Sequence, residues 1–555
     1  MEQIRFLLAI ALSFLVLFVW QNYFIEQPAR QLSEVEENQI EPQSDGQSSF
    51  SDEQTPVVLH PSSKKSEIQP TPEKVIEKPA KQVIVQTPLF EAILSERGAA
   101  INAITLFNYK TSMADDSTFM QIVDLLEKGT ALVSLKNNLI PDLDRVVYEL
   151  QSTQSMIKVN ASQELRFIYR LQQGLQVVKT YLFSPDSYMI GLSVAIENAT
   201  DFPVGDQIKI SMRQKIPENV EGYIFEGPAI LVNNQLNEIA MDEIEDNGHF
   251  TGKISWAAVE DRYFAAAAIL PDTLENVHAH FSMQDQIIQT DILLPSMNIP
   301  PHKQMRLDFD LYFGPKSLET LNSLDNNFNE IINFGWFDII ARPCLYLMNI
   351  IYQVIPNYGI AIILLTILIK LLFWPLGNKS YQSMNEMRKL QPMMKRIQEK
   401  YQDDRQKMNQ EMMNLYRTYK VNPLGGCLPM LLQIPVFIAL YRMLYQAIEL
   451  RHAPFFLWIN DLSAPDRLFQ FDGYIPLMQE PYGIPVLTII MGGTMILQQK
   501  MSPPPGDPSQ AKMMMFLPVI FTFIFINFPA GLVLYWLVNN VASILQQYYI
   551  NKKNE

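Results

Sequence analysis

The sequence predicts a polytopic α-helical membrane protein with six transmembrane helices and a large all-β domain on the outer side of the membrane. Six apolar runs approach or reach the length of about 17–25 residues that a helix needs to cross a bilayer. Between the first and second runs, residues 83–334 alternate apolar and polar side chains in the way that strands do. Basic residues concentrate in one segment, 377–420, which sets the orientation of the helices.

Composition and charge exclude several other classes of protein. The 555 residues carry a formal net charge of −15, which argues against general nucleic-acid binding. Cys344 and Cys427 lie in or beside apolar stretches, which excludes a disulfide-stapled secreted fold and a CxxC site. Nucleotide-binding, GxSxG and HExxH motifs are missing, and the pair His278 and His280 has no third ligand at a suitable spacing. We therefore predict no catalytic residue, cofactor or metal site.

Residues 1–25 are predicted to form an uncleaved signal-anchor transmembrane helix, because an apolar run follows Arg5 without a small-residue cleavage site. The next segment, 26–82, holds seven prolines, eleven acidic residues and one aromatic residue. Such a composition cannot bury enough apolar surface to fold. We expect a disordered tether on the outer side of the membrane.

The outer domain is predicted at 83–334, as a large antiparallel sandwich that ends in a helix. One strand face is formed by Ile190, Leu192, Val194 and Ile196. Residues 335–357 then fit an amphipathic helix that lies in the outer interface of the membrane, with aromatic anchors that begin at Trp336.

The remaining transmembrane segments are predicted at 358–376, 421–447, 484–500 and, as a pair of helices, 513–550. They are joined by a cytoplasmic hairpin at 377–420, a loop on the outer side of the membrane at 448–483 and a cytoplasmic loop at 501–512, and a short tail follows at 551–555. The hairpin carries ten basic and five acidic residues, so it and both chain termini are placed in the cytoplasm. The fifth run, 513–528, is only about 24 Å long as a helix, which favours a thinned bilayer.

The basic segment is predicted to be an antiparallel helical hairpin, because apolar residues recur at spacings of three and four before and after 402–404. Its seam consists of Met384, Met387, Leu390, Met394, Ile397 and Tyr401, and of Met408, Met412, Leu415 and Tyr419. Two interpretations stay open. The methionines either fill the seam or form a mobile surface that accommodates varied apolar partners.

Lys370 is the strongest single candidate for function, because an ammonium inside an apolar run costs about 2.5–3.5 kcal/mol to insert. It either extends to the cytoplasmic headgroups or faces a water-filled hollow, with Thr366 one turn earlier on the same face. We favour the hollow, because the other runs also contain polar residues, namely Gln433, Thr494, Gln498, Asn540, Ser543 and Gln547. The alternative for these residues is ordinary hydrogen bonding between helices.

Several motifs resemble those of the YidC membrane-protein insertase family. They include Asn422-Pro423-Leu424-Gly425-Gly426-Cys427-Leu428-Pro429, Gln433-Ile434-Pro435-Val436-Phe437 and Phe528-Pro529-Ala530-Gly531-Leu532-Val533-Leu534-Tyr535. The likeness is close over 330–550. A looser likeness to the large periplasmic domain of the Gram-negative members rests on Trp256 and Asp261-Arg262-Tyr263-Phe264.

This resemblance implies a bacterial inner-membrane insertase and chaperone that inserts and helps fold newly made inner-membrane proteins, alone or with the Sec translocon. It implies five core helices around a hydrophilic groove that opens to cytoplasm and lipid, and a periplasmic β-supersandwich. Lys370 occupies the position where the family usually has arginine. Tyr535 and Trp536 are expected near the outer part of the groove.

The partners that the resemblance implies are nascent membrane proteins, the Sec translocon, the ribosome and the signal-recognition-particle receptor. Anionic lipids are expected at the hairpin 377–420 because of its excess of basic residues. Since the tail at 551–555 is short, the same hairpin is the better candidate for a ribosome contact.

Two other classes of function are less well supported by the residues. A small-solute transporter would show an internal inverted repeat, and the apolar runs offer no such symmetry. A membrane-tethered carbohydrate enzyme would need a catalytic acid and base in a concave site, and no such pair stands out in the sequence.

Overall fold

The computed structural model describes residues 79–554, except 115, 126–128, 137–142, 172–173, 217–223, 403, 420, 422–427, 472 and 502–507. The predicted signal anchor at 1–25, nearly all of the tether at 26–82, the motif at 422–427 and the centre of the loop at 501–512 lie outside the described residues. The described residues all belong to one compact unit.

The described part of the chain begins with a domain built almost entirely of strands. They are β1 (Gln82–Gln86), β2 (Phe90–Ser95), β3 (Ala100–Lys110), β4 (Phe119–Asp124), β5 (Leu132–Leu135), β6 (Glu149–Leu150), β7 (Met156–Lys158), β8 (Gln163–Arg170), β9 (Leu175–Phe183), β10 (Met189–Asn198), β11 (Val204–Asp206), β12 (Ile208–Lys215), β13 (Gly227–Val232), β14 (Gln235–Glu238), β15 (His249–Gly252), β16 (Ile254–Glu260), β17 (Phe264–Ile269), β18 (Val277–Gln284), β19 (Ile287–Leu293), β20 (Met297–Ile299) and β21 (Lys303–Pro315).

These strands form a nine-stranded sheet, two five-stranded sheets and a two-stranded sheet. The large sheet has the order β14-β13-β16-β17-β21-β10-β9-β8-β6, and the five-stranded sheets have the orders β4-β3-β2-β1-β7 and β15-β18-β19-β12-β5. The alternation predicted for β10 is confirmed, because Ile190, Leu192, Val194 and Ile196 are all buried. The prediction of a mostly β outer domain is therefore correct.

Helices occupy most of the rest of the described chain. They are α1 (Ile244–Asn247) and α2 (Leu318–Asn322) in or beside the β domain, and then α3 (Asp338–Val354), α4 (Tyr358–Leu372), α5 (Trp374–Lys400), α6 (Arg405–Thr418), α7 (Leu428–Gln446), α8 (Val486–Met501), α9 (Pro508–Ile524) and α10 (Ala530–Asn554). Short 3-10 helices occur at Met241–Glu243, Phe328–Ile331, Gly335–Phe337, Ile448–Leu450 and Phe525–Asn527.

Helix α3 lies within the range 335–357, where an amphipathic helix was predicted. It buries Ala341, Leu345 and Met348 against α4 and α7. Ile339 and Val354 remain exposed on the opposite face. This apolar outer face suits the interface of a membrane, which stays a prediction.

A sharp bend separates α4 from α5. The two helices meet at Phe373 and are inclined by 65° to each other. Taken together, α4 and α5 are long and apolar enough to cross a membrane, whereas no single helix of the described residues meets that test by itself. The six transmembrane segments therefore stay a prediction.

The predicted hairpin is formed by α5 and α6, which pack along a small apolar seam. Leu390 and Met394 are buried there together with Val421. Met387 and Met412 pack against them from the two helices. The first helix starts at Trp374, a few residues before the predicted boundary, because the break at Phe373 is where the direction of the chain changes.

Helix α10 is the central element of the helical part, since it packs against α4, α5, α7 and α8. The β domain contacts these helices through arginines. Arg442 of α7 donates to the Phe334 carbonyl, and Arg451 donates to the Lys110 carbonyl at the end of β3. The β domain and the helices are thus in direct contact.

Candidate functional site

Polar side chains from three helices meet around Lys370 of α4. The Lys370 Nζ atom lies 2.7 Å from Ser543 Oγ and 3.4 Å from Asn539 Oδ1, both on α10. The same Asn539 oxygen accepts a hydrogen bond of 3.0 Å from Gln433 Nε2 on α7. Asn539 therefore joins the lysine to the third helix.

Two stripes of polar residues on α10 explain this arrangement. Residues 539, 543 and 546 are separated by four and three positions, so they lie on one helical face, towards α4 and α5. Towards the C-terminal end of this face, Gln546 Nε2 donates to the Trp374 carbonyl and to Asn378 Oδ1. This face connects the lysine to the start of the hairpin.

The second stripe faces α8. Asn540 Nδ2 donates to Thr494 Oγ1 at 3.3 Å, and Gln547 Nε2 donates to the Met501 carbonyl at 3.0 Å. Asn540, Ser543 and Gln547 are all buried. These direct bonds are those expected if polar residues simply join helices, and the water-filled hollow stays a prediction.

The charge of Lys370 is met by uncharged acceptors. Its side chain is half-buried, and the acceptors within reach in the described part of the chain are an amide and a hydroxyl oxygen. An ammonium offers three donors, so a carboxylate of another molecule can be attracted without displacing an internal ion pair. This is the chemical capacity of the site.

Thr366 was expected to lie on the same face as Lys370, towards the hollow, and that role stays a prediction. Its Oγ1 atom donates to the Ile362 carbonyl at 2.6 Å, and the side chain is buried. A threonine inside a helix commonly satisfies its hydroxyl by such a bond to the carbonyl four residues earlier.

Tyr535 and Trp536 belong to an aromatic cluster between α7, α9 and α10. The Trp536 ring meets Phe437 edge to face with centroids 4.5 Å apart, and Phe525 at 4.8 Å. Tyr535 is buried and stacks on Phe437 at 6.2 Å. Both residues therefore lie about one helical turn from Asn539, on the side where α10 begins.

The predicted methionines of the hairpin divide into two groups. Met394 is buried, and Met387 and Met412 pack around it. Met384 and Met408 are half-buried. The seam uses Tyr416, whereas Tyr419, which the spacing also placed there, is 49% exposed.

Asn539 and Gln546 are the site residues that the sequence analysis did not single out. Both are polar positions in an apolar run, four residues before and three residues after Ser543, so their signal was present in the spacing. The sequence analysis missed this signal because Asn540 and Gln547 also share a helical face with Ser543, and that face was chosen instead.

Comparison with known proteins assigns both parts of the chain. Residues 82–347 match the family described as YidC periplasmic domain, and residues 350–555 match the family described as 60Kd inner membrane protein. A membrane protein insertase YidC from Syntrophus aciditrophicus is 40% identical over 484 residues, which cover 85% of each chain. The chain belongs to the YidC membrane protein insertase family. The YidC of Pelobacter propionicus is 36% identical over 561 residues, which cover 99% of each chain.

Members of the YidC family are inner-membrane proteins with a periplasmic domain, and they are insertases rather than catalytic enzymes. Among solved structures, the active YidC insertase with its first transmembrane domain resolved has a TM-score of 0.37 and 17% identity over 85% of this chain and 93% of that one. A galactose mutarotase related enzyme from Lactobacillus acidophilus has a TM-score of 0.31 and 10% identity, over 42% of this chain and 97% of that one. The assignment to the YidC family rests on the sequence relatives.

Proposed function

We propose that this chain inserts newly made proteins into the bacterial inner membrane and helps them fold, alone or with the Sec translocon. The path of the substrate is a hydrophilic groove open to the cytoplasm and the lipid, formed by five helices. Lys370 is its charged centre, and Gln433, Asn540 and Ser543 supply polar groups around it. The observation that carries the proposal is a half-buried ammonium whose acceptors, Ser543 and Asn539, are uncharged.

The work of such a protein is to lower the barrier for moving polar chain across an apolar layer. Backbone and charged groups of the incoming segment lose their water in the hydrocarbon region, at a cost of several kcal/mol for each unsatisfied group. Polar side chains that replace this water reduce that cost. A lysine in a medium less screening than bulk water also attracts acidic residues of the translocating flank.

The membrane arrangement is part of the proposal. Six helices cross the inner membrane, both termini face the cytoplasm, and the β domain lies in the periplasm. The basic hairpin receives nascent chains and contacts the ribosome, the signal-recognition-particle receptor and anionic lipids. Its support is the excess of basic over acidic residues in 377–420 and the small, methionine-rich seam.

The test is replacement of the native protein by Lys370 variants, followed by protease mapping of newly made membrane proteins. We expect Lys370→Arg to be active, because the positive charge is retained. Lys370→Ala is expected to be impaired, most of all for substrates with acidic translocated flanks. Equal insertion of acidic-flank substrates by the alanine variant would leave Lys370 as a residue that reaches the headgroups and has no role in the groove.

A further inference from the structure

The segment that connects α7 to α8 exposes apolar side chains. Leu457 is 86% exposed, Phe469 73%, Tyr474 80% and Leu477 78%. We call these four residues the outer rim. Aliphatic and aromatic side chains of this size are normally buried, and a group of them in one segment marks an interaction surface.

Charged side chains of the same segment are directed inwards instead. Asp466 and Arg467 are buried. Arg467 donates to the Pro481 carbonyl at 2.9 Å and to the Ile526 carbonyl at 2.8 Å, and Asp466 accepts from the Trp458 indole. Among the charged side chains that the structure describes in 448–483, Glu480 is the exposed one. In a loop that is surrounded by water, charged side chains are normally exposed and large apolar side chains are normally buried, so this segment shows the reverse arrangement.

Three of the four outer-rim residues have an unusual backbone conformation. Leu457, Phe469 and Leu477 have φ values of 61°, 53° and 68°, in the left-handed region that side chains of this size rarely adopt. At Leu477 the conformation is fixed because Asn527 Nδ2 donates to its carbonyl at 2.8 Å. Strained backbone of this kind persists only where the surroundings impose it, and it is often associated with function.

We propose that the outer rim is a lipid-contact surface that rests in the outer interface of the bilayer. Backbone hydrogen bonds of 2.9 and 2.7 Å between Leu468 and Ile484 place Phe469 of the rim beside the chain that leads into α8. Ile484, Ile489 and Ile490 are also exposed. An apolar surface that runs from a helix of a membrane protein to an aromatic-containing rim suits lipid, since aromatic residues prefer the headgroup level.

This inference rests on the proposed membrane arrangement but not on insertion activity. It assigns to the segment 448–483 the task of fixing how deeply the outer ends of α7 and α8 sit in the membrane. A protein partner on the rim is the competing occupant. Lipid and a protein partner are distinguished by measuring the accessibility of the outer-rim residues when the pure protein is in lipid alone.

The experiment uses the full chain with Cys344→Ser and Cys427→Ala, in vesicles of phosphatidylethanolamine and phosphatidylglycerol. Single cysteines at Leu457, Phe469 and Leu477 carry a nitroxide, and Asn460 and Glu480, which are exposed polar positions of the same segment, serve as matched controls. We expect the ratio of oxygen to nickel-chelate collisions to be several-fold higher at the rim than at the controls. Equal ratios at rim and controls, or rim positions shielded only after a membrane extract is added, would overturn the proposal.

A second measurement avoids substitutions that disturb folding. A lipid with a photoactivated carbene in its acyl chain is added to the unmodified protein in the same vesicles, and adducts are located by mass spectrometry. Adducts at Phe469 and Leu477 without adducts at Gln470 and Gln479 are expected. Their absence at the rim, while Ile489 of α8 is labelled, would contradict the lipid contact even if insertion were normal.

Discussion

The Arg262 guanidinium lies over the ring of Tyr445, 3.7 Å from its centroid, while Arg262 Nε donates to the Tyr445 carbonyl at 2.8 Å. Tyr445 is next to last in α7, and the last carbonyls of a helix have no partner within the helix. One arginine of the β domain therefore caps the end of a helix in the predicted membrane core and also contributes a cation–π contact.

Arg262→Ala is predicted to weaken the contact between the β domain and α7. A desolvated cation–π contact contributes about 2 kcal/mol, and the capped carbonyl would lose its donor. Amide exchange at 445–447 should become faster. The control is Arg166→Ala, because Arg166 is exposed and its ion pair with Glu164 lies on the surface of the β domain. Unchanged exchange in Arg262→Ala would mean that other contacts hold the two parts together.

Deletion of roughly 90–310, with 336–355 retained, is predicted to preserve insertion. The proposed groove is formed by helices, and Lys370, Asn539 and Ser543 have no bond to the β domain in the described residues. Protease mapping of several substrates is the measurement. If a stably expressed truncation inserted none of them, the β domain would have to be counted as part of the insertion machinery.

Asn539→Leu is predicted to reduce insertion of acidic-flank substrates, because Lys370 and Gln433 both lose an acceptor. A buried polar group without a partner costs about 1–3 kcal/mol. Gln547→Leu is the matched control, since Gln547 is a buried amide of the same helix whose hydrogen bond goes to the Met501 carbonyl of α8. We expect the control to lose stability but to keep this substrate preference. Equal loss of insertion in both variants would reduce Asn539 to a structural role.

The hairpin is predicted to open while it receives substrate. Photocrosslinkers at Met394 and Met408 should trap nascent chains before crosslinkers at Thr366 or Trp536 do. Met394 is buried in the seam and Met413 is 49% exposed, so Met413 provides a position that needs no opening. Amide exchange in α5 and α6 should be faster than in α10. Early crosslinks at Met413 alone, with slow exchange throughout, would identify the hairpin as a fixed support.

Lys179 is predicted to make the stability of the β domain depend on pH. It is fully buried in β9, its Nζ donates to the carbonyls of Gly98, Ala99 and Ala131 at 2.8–3.0 Å, and burial lowers its pKa to about 7. Between pH 7 and the ordinary lysine pKa of about 10.4, the unfolded chain binds more protons than the folded chain, so this residue makes stability rise with pH. The slope is at most about 1.4 kcal/mol per pH unit.

Lys179→Met should remove this slope and, because three carbonyls lose their donor, lower stability at every pH. The free energy of opening of β9, from amide exchange corrected for the intrinsic rate, is the measurement. Lys158→Met is the control, since Lys158 is exposed on β7. A slope that is the same in Lys179→Met and in the unchanged protein would assign the pH dependence to other groups.

The β domain was the part most open to prediction, because a strand with one buried face alternates with a period of two. β10 shows this directly. Lys179 was not predictable, since its three acceptors come from two other segments that only the fold brings together. A lysine among apolar residues reads in the sequence as an interruption of β9, and nothing nearby indicates how it is satisfied.

Helix rotation limited the prediction of the helical part. The polar stripe through Asn540, Ser543 and Gln547 was identified, but the bond to Lys370 also uses Asn539, which is rotated by about 100° from Asn540. In the hairpin, Tyr416 and Tyr419 are three residues apart and both fit the spacing. Contacts across the seam decide between them, and spacing along one helix does not contain that information.

A change of angle at the bend at Phe373 would turn the whole of α5 about this residue as a pivot. α5 has 27 residues, which corresponds to about 40 Å of helix. A change of about 10° in the angle at Phe373 would move the far end of α5 by about 7 Å. Lys370 lies three residues before the pivot and would stay almost stationary. Such a change would therefore move the tip of the hairpin while the ammonium keeps its position against α10.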